Sequence, residues 1–141
     1  MKILCVICAR AGSKGVENKN FKFINGKPLI YYTINQAIKT KMFDNIVIST
    51  NSKKILNFVK KQGIGTWFLR PKKLSHSKSP KVLSIQHALK EAEKFYMKKF
   101  DIIFDLDVSS PLRSINDIKS SLRFFLKKKA KMLLSGCKSK K

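Results

Sequence analysis

Acidic residues are scarce in this sequence. Eight aspartates and glutamates stand against 31 lysines and arginines, which gives the 141 residues a formal net charge of +23 at pH 7. Six glycines and four prolines are too few for a collagen-like or linker-like chain, and 43% hydrophobic residues argue against wholesale disorder. No apolar stretch reaches the roughly 20 residues of a membrane span, and no signal peptide is evident. We expect one cytoplasmic domain over residues 1–141, with no membrane partner.

Arginine is scarce as well. Only Arg10, Arg70, Arg113 and Arg123 are arginines, and the other basic residues are lysines spread over the whole chain. Aromatic residues do not alternate with these lysines as they do in a groove for single-stranded nucleic acid. We therefore expect a solvated basic surface and no specific nucleic-acid partner, with a basic nucleic-acid-binding module as the less favoured alternative. Because arginine recognises anions with a planar fork, its few positions are informative.

Cysteine and histidine are too few and too scattered for a zinc site or a catalytic triad. Cys5 and Cys8 are three residues apart on a predicted strand, so their thiols face opposite sides and cannot share a metal or a disulfide. His76 and His87 have no second nitrogen ligand in view. No strand is followed by a Gly-x-Ser-x-Gly elbow. The sequence therefore gives no support to zinc chemistry or to a Ser-His-Asp mechanism.

Short apolar strands alternate with amphipathic helices along the chain. This alternation predicts an α/β fold with three layers and a doubly wound, mainly parallel sheet of the Rossmann-like kind. In such sheets ligands bind beyond the carboxyl ends of the strands. Strands are predicted at residues 2–8, 45–50, 66–69, 101–107 and 130–135, and helices from Pro28, over residues 52–62, from Val82, and after a cap at Asn116.

The connection after the first strand is unusually long. Residues 9–27 separate the strand from its helix, where about two to six residues are usual. The connection begins with Ala-Arg-Ala-Gly-Ser-Lys-Gly, in which the glycines allow backbone N–H groups to face an anion, and Arg10, Lys14 and Lys19 add cations. It matches neither a Walker loop nor the dinucleotide fingerprint. The pattern predicts a phosphate-binding loop, with a solvated basic loop as the alternative.

Two carboxylates end the fourth predicted strand. Asp105 and Asp107 are two residues apart on an extended segment, so both side chains share a face. Mg²⁺ prefers oxygen ligands and typically takes one or two carboxylates together with substrate phosphates. The pair indicates either a magnesium site or, equally, a lysine partner for Asp105 and a cap by Asp107 on the turn at residues 109–111.

The order of these motifs resembles a known family, the acylneuraminate cytidylyltransferases. Residues 9–15, 19–20 and 26–30 are similar to the family's N-terminal signature, and the agreement continues in order at residues 43–50, 70–71, 80–81, 87–89, 110–113 and 117–118. The resemblance implies a fold of the nucleotide-diphospho-sugar transferase type. It also implies that CTP activates a nine-carbon α-keto acid sugar, such as sialic, legionaminic or pseudaminic acid, with Mg²⁺ as cofactor and pyrophosphate as the second product.

The resemblance also implies roles for individual residues. The triphosphate would be held by Arg10, Ser13, Lys14 and Lys19, and the nucleoside by Asn20 and Arg70. Asp107 stands where many relatives carry glutamine, and it is the predicted metal or sugar contact. The predicted catalytic residues are Arg10, Lys19 and Asp107. The predicted nucleotide-binding set is Ala9, Arg10, Gly12, Ser13, Lys14, Asn20, Arg70 and Lys81.

Three departures from the family pattern qualify these expectations. Asn51 replaces a usual aspartate, and Ser77 stands where relatives often have aspartate. The family continues beyond the position of Gly136 with a dimerising extension and an acidic segment that supplies metal ligands. We therefore expect a truncated family domain that lacks the homodimer interface, and for this 141-residue chain the alternatives are turnover or CTP binding alone.

Overall fold

In the computed structural model, which describes residues 1–12 and 15–136, β-strands alternate with α-helices. Short 3-10 helices at Lys19–Phe21 and Lys72–Leu74 lie in two of the connections. No helix in these ranges is long and apolar enough to cross a membrane. The elements are, in chain order, β1 (Ile3–Cys8), β2 (Phe23–Ile24), β3 (Lys27–Pro28), α1 (Leu29–Thr40), β4 (Asn45–Ser49), α2 (Lys53–Lys60), α3 (Lys81–Tyr96), β5 (Ile102–Asp105) and α4 (Ile115–Lys127).

Strand β1 is the centre of a three-stranded parallel sheet with the order β4-β1-β5. Its side chains alternate between two separate core clusters, with Cys5 and Ile7 in one and Leu4 and Val6 in the other. A central strand that is covered on both faces needs apolar residues at every position, which explains the continuous apolar run. The two thiols of Cys5 and Cys8 lie on opposite faces, as their spacing predicts.

Helices cover both faces of the sheet. On one face, α1, α2 and α4 contribute Ile34, Val59 and Ile118 to the core, and on the other face α3 contributes Ala88 and Ala92. Burial of each large aliphatic side chain stabilises the fold by about 1.5–3 kcal/mol. The prediction of a three-layer, doubly wound α/β fold is confirmed.

Two of the predicted strands are wrong. Residues 66–69 form no strand, because Trp67 turns to stack on Phe95 of α3, with 4.0 Å between ring centroids, and the backbone makes no ladder with β4. Residues 130–135 form no strand either. That segment leaves α4 through Lys129 at a φ of 48°, and Met132 and Leu134 are 75% and 82% exposed. Their apolar character indicates a strand, but a strand requires a neighbour to pair with.

The cap of α4 also differs from the prediction. Ser114, and not Asn116, is the N-cap: its hydroxyl accepts from the Asp117 N–H at 3.0 Å, and the Asp117 carboxylate accepts from the Ser114 N–H at 2.8 Å. This reciprocal pair satisfies two N–H groups at the helix start, whereas a cap at Asn116 would satisfy one. The helix therefore begins two residues earlier.

The long connection after β1 is partly ordered by its own hairpin. Strands β2 and β3 pair antiparallel, and the turn between them is Asn25-Gly26, with φ angles of 47° and 72°. Two consecutive positive φ angles are what a type I′ turn requires, and Asn-Gly is the favoured pair for it. The hairpin brings Pro28 to the start of α1, and residues 9–12 and 15–22 lie at the ligand-binding end of the sheet.

Candidate functional site

A cleft of about 530 Å³ opens beyond the carboxyl ends of β1 and β5. Most of its polar lining comes from the connections after β1, between α2 and α3, and after β5, and it lies at the end of the sheet where an α/β fold is expected to bind ligands. It therefore brings together residues that are far apart in the sequence. Its lining residues are Cys8, Arg10, Gly15, Val16, Lys19, Asn20, Arg70, Leu74, His76, Ser77, Ser79, Lys81, Ser84, Asp107 and Ser109.

Most of the predicted site residues that the structure describes meet in this cleft. They are Arg10, Lys19, Asn20, Arg70, Lys81 and Asp107. Ala9 lies behind the lining, fully buried, and its N–H donates to the Ser49 carbonyl at 2.9 Å. Gly12 is exposed with a φ of 73°, and its carbonyl accepts from Arg10 Nη1 at 3.1 Å. The predicted contacts Ser13 and Lys14 lie outside the described residues.

The start of the loop after β1 is held by two asparagine side chains. The buried Asn20 donates from Nδ2 to the Arg10 carbonyl at 3.0 Å. From the other side, Asn51 accepts from the Ala11 N–H at 2.8 Å. Because these bonds fix both polar groups of the peptide unit that joins Arg10 to Ala11, they hold the backbone from which Arg10 reaches the cleft. This arrangement favours a preorganised loop over a freely solvated one.

Arg70 forms the wall of the cleft on the β4 side. It is only 6% exposed, and its Nε and Nη2 donate to Oγ and the carbonyl oxygen of Ser49, at 2.9 and 2.6 Å. Its backbone N–H donates to the Thr50 carbonyl at 2.7 Å. Burial lowers the pKa of the guanidinium from its usual value, and the nearby charge of Arg10 acts in the same direction. The side chain thus caps the end of β4 while it lines the cleft.

Lys81 forms the opposite wall, on the β5 side. Its ammonium lies 2.6 Å from Asp105 Oδ2 and 3.1 Å from Asp107 Oδ2. The other oxygen of Asp107 accepts from the Ser109 N–H at 2.7 Å. Burial by itself would raise the pKa of Asp107, but the Ser109 bond and Lys81 outweigh it and lower that pKa. Both carboxylates share a face, as predicted, and both contacts of the lysine-and-turn interpretation are present.

Arg113 stabilises the backbone of the turn that carries Asp107. Its Nη2 donates to the carbonyls of Asp107 and Ser110, at 2.7 and 3.2 Å. Gln36 of α1 donates from Nε2 to the carbonyls of Pro111 and Arg113, both at 2.7 Å. These bonds fix the turn that follows β5. Arg113 therefore acts on the shape of the turn, and it is not among the residues that line the cleft.

The cleft offers phosphate-binding groups without an activated nucleophile among its described residues. Burial raises the pKa of the Cys8 thiol to about 11, so the thiol is protonated at neutral pH. His76 lines the cleft, while His87 packs against Phe68 on the α3 side of the sheet, with 5.6 Å between ring centroids. Within residues 1–12 and 15–136 no three His, Cys, Asp or Glu side chains are grouped to hold a metal. The site suits a reaction that depends on positioning and charge neutralisation.

Comparison with known proteins decides the family. The family model described as Cytidylyltransferase matches residues 4–135, which include both walls of the cleft. The chain belongs to the cytidylyltransferase family. It is 43% identical over 124 residues to the post-translational flagellin modification protein B of Campylobacter coli, a match that covers 88% of this chain and 53% of that protein. It is 42% identical over 110 residues to the CMP-N,N'-diacetyllegionaminic acid synthase of Campylobacter jejuni, which covers 78% of this chain and 47% of that protein.

Solved structures of cytidylyltransferases share the fold. A CMP-2-keto-3-deoxy-manno-octonic acid synthetase complexed with CTP has a TM-score of 0.70 at 21% identity, and the match covers 92% of this chain and 49% of that one. A cytidylyltransferase from Leptospira borgpetersenii has a TM-score of 0.67 at 24% identity, with 90% and 50% covered. This cytidylyltransferase-family chain spans about half the length of the relatives it matches.

Two residues of the site were not assigned by the sequence patterns. The bond from Ala11 to Asn51 joins residues 40 apart, and no periodicity links them. Because Asn51 directly follows a predicted strand, the sequence does predict it at the ligand-binding end of the sheet, but not its bond to Ala11. For Asp105 the sequence allows two interpretations, because its partner, Lys81, lies on a different element. The charge of that partner could be guessed from the lysine-rich composition, but its position could not.

Proposed function

We propose that this cytidylyltransferase-family protein transfers the cytidylyl group of CTP to the anomeric hydroxyl of a nine-carbon α-keto acid sugar in the cytoplasm, with release of pyrophosphate. The observation that carries the proposal is that Arg10, Lys19, Asn20, Arg70 and Asp107 line one and the same cleft. Relatives named for legionaminic and pseudaminic acid support that class of sugar. Sialic, legionaminic and pseudaminic acids are the candidates.

The cationic side of the cleft would hold the triphosphate. Arg10 and Lys19 lie in the lining at the loop after β1, and the bonds from Asn20 and Asn51 keep that loop in place. Phosphoryl and nucleotidyl transfers need in-line positioning and neutralisation of phosphate charge more than a covalent nucleophile. We therefore assign Arg10 and Lys19 to the stabilisation of charge on the leaving pyrophosphate.

The nucleoside would lie between Asn20 and Arg70. Arg70 uses two of its N–H groups on Ser49, and a guanidinium has five, so donors remain for a base or a ribose hydroxyl. Asn20 uses its amide nitrogen on Arg10, so that its oxygen remains as an acceptor. The further proposed nucleotide contacts are Ala9, Gly12, Ser13, Lys14 and Lys81.

Asp107 is the proposed ligand for Mg²⁺. The donor chemistry fits the ion, since carboxylate oxygens of Asp107 and its neighbour Asp105 already converge on one positive centre, the Lys81 ammonium. Mg²⁺ usually takes one or two carboxylates and completes its shell with waters and substrate phosphates. When bound, it would supply additional neutralisation of phosphate charge. The residues of the chain would supply the orientation of CTP and of the sugar.

The test is pyrophosphate release by the full chain with CTP, Mg²⁺ and each of the three sugars. We expect release with at least one sugar, and we expect Lys19→Ala to lower kcat/KM by about 100-fold, because a cation that stabilises developing charge is removed. Lys90→Ala is the matched control: it removes an exposed lysine on α3, outside the cleft, and should leave the rate unchanged. No release with any sugar from folded protein contradicts turnover by this chain.

Binding of CTP without turnover is the second candidate, because this chain spans only about half the length of its relatives. Calorimetry with CTP separates the two, since a non-catalytic domain binds CTP saturably and forms no product. A basic nucleic-acid module predicts instead DNA or RNA binding that weakens steeply with salt. Equal affinity for nucleic acid at low and high salt would dismiss that third possibility.

A further inference from the structure

The ammonium of Lys81 lies at an electrostatically unusual place. Lys81 is the first residue of α3, and a helix N-terminus carries partial positive charge that disfavours a cation. What offsets this is the pair of carboxylates on the neighbouring strand end, at 2.6 Å for Asp105 and 3.1 Å for Asp107. These contacts raise the pKa of Lys81 although burial by itself would lower it. The position is therefore built by the carboxylates around a positive charge.

The hydrogen bonds of Asp107 show which partner can leave. Its Oδ1 accepts from the Ser109 backbone N–H at 2.7 Å, in a turn that Arg113 fixes through the Asp107 carbonyl. Its Oδ2 is occupied by Lys81, whose side chain is 40% exposed. Oδ2 thus becomes free when a flexible lysine side chain moves, whereas Oδ1 becomes free only if the turn is remodelled. The same movement frees Asp105 Oδ2.

We propose that Lys81 is the resident counter-ion of a divalent-cation site to which Asp105 and Asp107 contribute carboxylate ligands, so that the metal and the ammonium compete for the same oxygens. Entry of the metal releases Lys81 towards the cleft that it lines, where an anionic ligand can accept it. Asp105 is then a metal ligand in its own right, and Lys81 is a positioning residue whose charge offsets the repulsion between the two carboxylates before a metal binds. The use of this exchange in catalysis rests on the proposed function, but the competition itself does not.

The experiment titrates the full chain with Mn²⁺ alone, without nucleotide, and follows free Mn²⁺ by its electron paramagnetic resonance signal. We expect Lys81→Met to tighten Mn²⁺ binding by about tenfold, because the competing charge is gone and two carboxylates remain a few ångströms apart. Lys81→Arg keeps a cation at the site and should bind Mn²⁺ no more tightly than the original chain. Adding Asp105→Asn to Lys81→Met should abolish the gain.

Lys78→Met is the matched control for net charge. It removes the same charge from an exposed position three residues away that is not part of the cleft lining. If Lys81→Met and Lys78→Met change Mn²⁺ affinity equally, or if Asp105→Asn leaves the gain intact, the competition does not exist and the proposal is wrong. A thermal melt of each variant checks folding, and Lys81→Gln, which also removes the charge, gives the same answer if Lys81→Met does not fold.

Calorimetry with CTP in the presence of Mg²⁺ keeps the two proposals distinguishable. Failure of CTP to bind the original chain counts against the proposed function and leaves the Mn²⁺ result standing. Equal Mn²⁺ binding in all variants, together with saturable CTP binding, counts against the exchange at Lys81 and leaves the proposed function standing.

Discussion

The two walls of the cleft are held by opposite kinds of interaction. On the β4 side, Arg70 is 6% exposed and donates to uncharged oxygens of Ser49. On the β5 side, Lys81 pairs with two charged carboxylates, and the side chains of Lys81, Asp105 and Asp107 are 40%, 31% and 53% exposed. Arg70 is thus a buried brace, meaning a side chain whose hydrogen bonds fix the end of β4, whereas Lys81 lies in a partly solvated ion cluster.

This difference separates a fixed wall from an adjustable one. Loss of a buried donor leaves its acceptors without water or a partner, which costs their full desolvation. Partly exposed ion pairs contribute little to stability, because water and salt screen them, and for the same reason they exchange partners readily. The β4 wall is therefore suited to shape the cleft, and the β5 wall is suited to respond to metal, salt and pH.

The largest expected effect comes from breaking the fixed wall. Arg70→Met should lower the free energy of unfolding by about 3 kcal/mol, because Ser49 Oγ loses a charged donor in a buried place and the Ser49 carbonyl keeps only the Ala9 N–H. Urea denaturation measures the change. Arg123→Met removes an exposed arginine from α4 and should change stability by less than about 0.5 kcal/mol. Equal losses for the two variants would show that Arg70 is not a brace.

The next effect concerns the loop that the β4 side also holds. Asn51→Leu should lower the free energy of unfolding by about 1 kcal/mol, because the Ala11 N–H loses its acceptor at 2.8 Å. Asn51→Asp keeps an acceptor oxygen and should restore most of that stability. Denaturation of both variants tests the bond. If aspartate destabilises as much as leucine, the contact to Ala11 does not hold the loop.

The features that the sequence predicts are those that depend on local patterns along the chain. The covered strand β1 and the long connection after it follow from a continuous apolar run and from spacing, which are local properties. The shared face of Asp105 and Asp107 follows from the period of a strand. Even the family resemblance depends on motifs that stand in order along the chain.

Partners across the fold are what sequence reasoning could not supply. That Arg70 caps Ser49 depends on the path of residues 64–70, which were predicted partly as a strand but pack on α3 instead. That Lys81 lies between two carboxylates depends on how α3 lies against β5. With so many lysines in the chain, composition cannot say which one is paired, because the choice is made by tertiary packing.

Removing the ion cluster should affect stability less than either change on the β4 side. Lys81→Met should lower the free energy of unfolding by less than about 1 kcal/mol, since the pair is partly exposed and a cation at the start of α3 is itself unfavourable. Any loss seen at about 0.05 M NaCl should shrink at about 1 M, where charges are screened within a few ångströms. Denaturation at both salt concentrations tests this. A loss as large as that of Arg70→Met, independent of salt, would make both walls fixed.

The smallest effect is a difference in pH dependence between the walls. The folded pKa of Asp107 lies below its unfolded value of about 3.9, so its contribution is present above that pH and is lost as pH falls through the folded pKa. Asp107→Asn should therefore lose slightly less stability than the original chain when pH falls from about 5 to 3. Arg70→Met provides the contrast, because Ser49 has no titrating acceptor and the cost of this variant should be the same at both pH values. Thermal melts across this range measure both. A cost of Arg70→Met that changes with pH, or an Asp107→Asn profile parallel to that of the original chain, would remove the distinction between a neutral brace and a charged cluster.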